Sequence, residues 1–90
     1  MNIFVLADSP KESAEMHCDK HVCKMMIEYA QMLSTTHRIL DGDEVISESL
    51  YKVAHKNHPC TIWTRTNKSN YLWLFKLWKN LSMEYTMRYG

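Results

Sequence analysis

Two imidazoles, an ammonium, a carboxylate and an amide recur on one helical line early in the chain. His17, His21, Lys24, Glu28, Gln31 and Thr35 follow one another at spacings of four, three, four, three and four. At about 100° per residue they share an arc of roughly 80°. In such a set the ammonium can meet phosphate, the imidazoles can donate hydrogen bonds, and the carboxylate can take a hydroxyl or a proton. Lys24 and Glu28 also form an i, i+4 pair, which on an open helix surface contributes only a few tenths of a kcal/mol. The stripe is therefore either the wall of a ligand pocket or an ordinary solvent face.

A second concentration of polar chemistry spans residues 51–71. Lys56, His58, Arg65 and Asn70 are interleaved there with Trp63 and Tyr71. Cations beside aromatic rings suit a nucleotide, with charge for the phosphate and a ring for the base. The competing reading is a loop with solvated lysines and core aromatics. His17 and His21, with Cys18, Cys23, His58 and Cys60, contain metal-ligand atom types. The paired C-x-x-C spacing of structural zinc sites is missing, and Cys18 points about 100° away from His17 on a helix. Packing or hydrogen bonding accounts for these residues better, so neither metal nor cofactor is expected.

The elements that must position these groups read as helices. Ser9-Pro10-Lys11-Glu12 combines a cap, a first-turn proline and a capping-box glutamate. It predicts one long helix to about Leu40, stopped by Asp41-Gly42-Asp43. Cys18, Val22, Met25, Met26, Tyr29, Met32 and Leu33 give that helix a core face. Residues 44–54 suggest a short helix around Leu50, Tyr51 and Val53. His58-Pro59 predicts an extended residue followed by a helix start. A last helix runs from caps in Thr66–Ser69 to Arg88, with Gly90 as terminator and Leu74, Trp78, Leu81 and Tyr85 on its apolar side. Preceded by a short extended segment over Met1–Ala7, these elements predict an all-α fold. The expected architecture is a compact bundle of three or four helices in a single domain over residues 1–90.

Composition narrows the function. The first fifty residues carry four basic side chains against nine acidic ones, whereas the last forty carry seven against Glu84 alone. A basic half suggests a phosphate-bearing partner, although part of the asymmetry can simply join the halves. The net charge of +1 argues against an extensive duplex coat. No apolar run approaches the roughly 20 residues that span a bilayer, so no membrane partner is expected. Three cysteines in apolar patterns fit a reduced, cytoplasmic setting. Ninety residues bury a modest core, and a homo-oligomer would reinforce it.

The run His17-Cys18-Asp19-Lys20-His21-Val22-Cys23-Lys24-Met25, with Glu28, Gln31-Met32-Leu33 and His37-Arg38, resembles small helical proteins encoded by tailed phages. Lys56-Asn57-His58-Pro59-Cys60 with Trp63, Arg65 and Asn70-Tyr71 extends the likeness. More distantly the chain resembles the phage pyrimidine-dimer DNA glycosylases. Asp19-x-His21 and Glu28 match their first-helix signature, and residues 70–90 echo their second half. That resemblance implies an amine attacking the sugar's anomeric carbon, Glu28 stabilising the cationic sugar and moving protons, and His21 on the phosphodiester. This sequence departs from the family pattern in two places. Asn2 favours retention of Met1, leaving the Met1 or Lys24 amine as nucleophile, and Gln31 stands where the family has an arginine.

Two functions follow. The leading expectation is a binder rather than an enzyme: a host-cytoplasmic phage protein that sequesters a phosphate-bearing nucleotide immune signal. Its pocket would be lined by His17, His21, Lys24, Glu28, Gln31, Lys56, His58, Trp63, Arg65, Asn70 and Tyr71. The alternative is a DNA N-glycosylase and abasic lyase acting on damaged DNA, with Glu28 and Met1 catalytic.

Overall fold

A computed structural model describes residues 2–41 and 51–90. Four helices follow in chain order: α1 (Pro10–Glu15), α2 (Asp19–Asp41), α3 (Pro59–Thr66) and α4 (Lys68–Tyr89). Together they form an all-α bundle in which α4 packs against each of the other three. Of the short helix expected over residues 44–54, residues 44–50 lie outside the described residues, and Tyr51–Ala54 are not helical.

Local chemistry starts α1, α3 and α4 where the sequence indicates. The Ser9 hydroxyl accepts from the Glu12 N–H at 3.1 Å, and Pro10 occupies the first turn. His58 is extended (φ −66°, ψ 137°), and its Nδ1 accepts from the Cys60 N–H at 3.1 Å, which starts α3 at Pro59. The Asn67 side chain caps α4 through the Asn70 N–H. Gly90, at φ 90°, closes that helix with its N–H on the Thr86 carbonyl.

The single long helix expected from Ser9 to Leu40 is instead two, broken at Met16–Cys18. The His17 ring turns back and donates from Nδ1 to the Ser13 carbonyl at 2.6 Å. In a continuing α-helix that carbonyl would accept the His17 backbone N–H, which bonds to the Ala14 carbonyl instead. Arg88, at the far end of α4, takes the carbonyls exposed by the break. It donates to the Glu15 carbonyl at 3.0 Å and the His17 carbonyl at 2.7 Å. Its guanidinium also pairs with Glu84 and Asp19, at 2.9 and 3.1 Å. One basic residue of the second half thus joins the acidic first half. Replacing Arg88 by methionine keeps the apolar stem but removes every one of these donors. The thermal midpoint is expected to fall in a melting experiment, and lysine, which lacks the planar fork, to restore it only in part.

The core lies between α2 and α4. Val22, Met25, Tyr29 and Met32 of α2 meet Leu74, Leu77 and Leu81 of α4, all buried. The buried edge of α4 is rotated from the expected one: Leu77 is buried, whereas Trp78 is half-buried and Tyr85 exposed. The rotation follows from α4 serving α1, α2 and α3 together and from Arg88 having to face the α1–α2 break.

The N-terminal segment, Asn2–Leu6, forms neither helix nor strand and is tied down by side chains. The buried Ser13 hydroxyl donates to the Phe4 carbonyl and accepts from the Leu6 N–H, both at 2.9 Å. The Tyr29 hydroxyl accepts from the Phe4 N–H at 3.0 Å and donates to His17 Nε2 at 2.9 Å. Since a carbonyl only accepts, His17 is the neutral Nδ1–H tautomer within this chain of bonds. Burial pushes the His17 pKa down, and nearby His21 and Arg88 add to this against the Ser13 bond. The unfolded state therefore binds the proton more readily. Stability from this group is fully present above about pH 6.5, and it is lost as pH falls from there through the folded-state pKa. Chemical denaturation between pH 7 and 5 is expected to show that decline, and His17→Gln a shallower one.

Candidate active site

Helix α2 sorts the stripe residues by depth. Thr35 is buried, Glu28, His21 and Gln31 are half-buried, and Lys24 is exposed. Two other segments border this face. The N-terminal segment lies against its first half, where the Phe4 ring stacks on His21 at 4.7 Å with the planes 14° apart. Along the second half the Thr35 hydroxyl accepts from the Ala54 N–H at 3.1 Å and donates to the Ala54 carbonyl at 3.3 Å. That bond pair pins the chain just ahead of Lys56 and His58 to the stripe. Glu28 lies between His21 and Thr35 along the stripe.

Glu28 has the unusual environment. Its Oε2 is shut off from solvent and has no hydrogen-bond partner among the described residues. A buried acceptor without a partner costs about 1–3 kcal/mol, and more when charged. Strain, a catalytic role or a bound water or ion accounts for such groups in native proteins. Next to it, burial pushes the Tyr29 hydroxyl up to about 12, with the Glu28 charge adding to the effect. Tyr29 thus keeps its proton and can hold Phe4 and His17 together while His17 is neutral.

The structure separates other expected site residues from this face. His17 is buried with both ring nitrogens engaged, because the helix break removes it from the line on which the spacing would put it. Tyr71 is drawn to the other end of α2. Its hydroxyl bonds His37 Nε2 at 2.5 Å, and His37 Nδ1 bonds Asp41 at 2.8 Å. Burial first, then the Asp41 charge, raises the Tyr71 pKa. Asn70 is used within the fold, its amide donating to the Trp63 carbonyl at 2.8 Å. Arg65 donates to the Lys56 carbonyl at 2.6 Å and stands at the edge of the basic segment. Trp63 presents part of its ring to solvent. With Ile3, Val5, Pro59 and Cys60 it lines an apolar cavity of about 320 Å³ beside the N-terminal segment. Met1 lies outside the described residues.

Sequence reasoning missed Tyr29, His37, Asp41 and Arg88 as organisers of this region. The spacing of His37 and Asp41 is a local signal, whereas the partners of Tyr29 and Arg88 come from remote segments. Among the described residues no three His, Cys, Asp or Glu side chains gather as metal ligands. Nor is any of their helices long and apolar enough to cross a membrane.

Helix α2 thus carries a partly buried carboxylate and a tethered amino-terminal segment. The family model for pyrimidine dimer DNA glycosylase matches residues 1–90. The chain belongs to that family. No curated protein and no solved structure matches it. Membership overturns the leading expectation of a passive binder that sequesters a nucleotide signal and supports the glycosylase alternative instead. The geometry gives a physical reason for the correction. Among the eleven residues expected to line a nucleotide pocket were His17, Arg65 and Tyr71. The fold puts the first in the core and ties the third to the far end of α2.

Proposed function

We propose that this protein is a DNA N-glycosylase with abasic-site lyase activity, acting on a damaged nucleotide at Glu28. The observation that carries the reading is the partnerless, solvent-shielded Glu28 oxygen, on a helix to which the N-terminal segment is tied. Membership of the family supplies the reaction class.

An amine, from Met1 or Lys24, attacks C1′ of the damaged nucleotide. The C1′–base bond breaks with its electrons going to the base, and the nitrogen loses a proton. Glu28, whose ionised form stabilises positive charge on the sugar, receives that proton and returns it to O4′ as the C1′–O4′ bond breaks, which leaves the protonated imine and a restored carboxylate. The same carboxylate then takes a proton from C2′, and the strand opens by elimination of the 3′ phosphate. His21 and Lys24 contact phosphate on one side of Glu28, Gln31, Lys56 and His58 on the other. Trp63 and its apolar cavity accept a base drawn from the stack.

Ultraviolet-irradiated and untreated duplexes of identical sequence test the proposal. Strand breaks confined to the irradiated duplex, with an unsaturated sugar left at the 3′ end, are the expected outcome. Intact irradiated strands together with no base release would refute it.

A further inference from the structure

A second cavity, of about 300 Å³, opens between the C-terminal part of α2, the end of α3 and the start of α4. Its polar lining sorts into used and unused groups. The Thr36 hydroxyl donates to the Met32 carbonyl, and the Thr64 hydroxyl to the Cys60 carbonyl. Asp41, the one carboxylate among the cavity's described lining residues, is held by His37, whose other nitrogen is held by Tyr71. The cations remain available. Lys68 is exposed and makes no hydrogen bond or ion pair among the described residues. Arg65 spends one N–H on the Lys56 carbonyl and presents the rest of its guanidinium. That bond ties a wall of the cavity to the segment that the Thr35–Ala54 bonds fasten to α2.

We propose that this cavity is a second DNA contact, in which Arg65 and Lys68 hold a backbone phosphate away from the reacting nucleotide. The choice of DNA as the polyanion rests on the glycosylase reading. The fold supplies the rest: the acid is internally paired, while two cations converge on a concave wall. Such a contact carries no sequence information, and it fixes register on the duplex. The Asp41–His37–Tyr71 chain acts here as a positioning device that keeps the carboxylate turned to His37.

The probe is a duplex bearing a tetrahydrofuran abasic analogue, titrated by anisotropy at several salt concentrations. Lys68→Ala is compared with Lys79→Ala, an exposed lysine eleven residues, or about 16 Å, further along α4. Loss of one phosphate contact is expected to lower the log–log salt slope by about 0.9. Lys68→Ala should show that change with several-fold weaker binding, and Lys79→Ala neither. An unchanged Lys68→Ala slope, or equal losses in the two variants, overturns the proposal, as does a wild type that binds no duplex. Borohydride trapping on a true abasic duplex separates the two readings. Trapping without Lys68 sensitivity sinks only the second contact, and Lys68-sensitive binding without trapping sinks only the glycosylase.

Discussion

Glu28→Gln is expected to lower single-turnover cleavage of ultraviolet-damaged duplex by about 100- to 10,000-fold, the range typical of removing a positioned acid–base group. The substitution preserves shape and takes away both the charge and the proton-accepting oxygen. Binding of an uncleavable abasic duplex should change far less, because the residues proposed to hold phosphate are untouched. Folding should not suffer, since the lost oxygen has no hydrogen bond to lose among the described residues. A midpoint of denaturation equal to or above that of the wild type is therefore expected. This opposition of activity and stability marks a residue kept for chemistry. Equal losses of stability and activity would instead make Glu28 a structural group.

Tyr29→Phe is the second large effect, with the opposite signature. The ring and its packing survive, but one oxygen is removed that serves two groups at once. The Phe4 N–H loses its acceptor in a partly buried setting and His17 Nε2 its donor in a buried one. At about 1–3 kcal/mol for each stranded group, urea titration should show destabilisation of about 2–5 kcal/mol. Against the roughly 5–15 kcal/mol that holds a typical domain, this is a major fraction. The N-terminal segment should also come loose, seen as faster amide exchange at Phe4 and Leu6. In the folded fraction, the single-turnover rate should fall more than affinity for the uncleavable duplex, because the amino-terminal segment is held less firmly near Glu28. Unchanged exchange at Phe4 would mean that Ser13 alone holds the segment.

Both predictions rest on features with very different visibility in the sequence. Helix starts at Ser9-Pro10 and His58-Pro59 were legible because capping is satisfied within four residues. The polar line from His21 to Thr35 was legible because a regular helix carries its period faithfully over four turns. The break at Met16–Cys18 was not, since nothing local demands it. It is held by a His17 ring turned onto Ser13 and by Arg88, more than seventy residues away. That one break removes His17 from the line. The apolar edge of α4 was displaced for a related reason. Leu77 and Arg88 follow the α1–α2 junction, a constraint no single-helix pattern contains.

The charge asymmetry carried two messages that composition could not separate. Arg88 with Asp19 belongs to the fold, whereas Lys56, Arg65 and Lys68 border open surfaces. Taken whole, the basic half indicates only a phosphate-bearing partner. Resolved into its members, it gives one structural clamp and a strip of cations reaching from beside Glu28 to the cavity at the head of α4. Such a strip is better matched to a length of backbone than to a single small anion.

Borohydride reduction of the reaction on an abasic duplex, followed by mass mapping of the cross-linked peptide, tests the amine-and-carboxylate chemistry most directly. The expected result is one stable adduct per protein, on Met1 or Lys24, and its loss in Glu28→Gln. Failure of wild-type protein to form any adduct, or adducts scattered over the surface lysines and indifferent to Glu28, would contradict it.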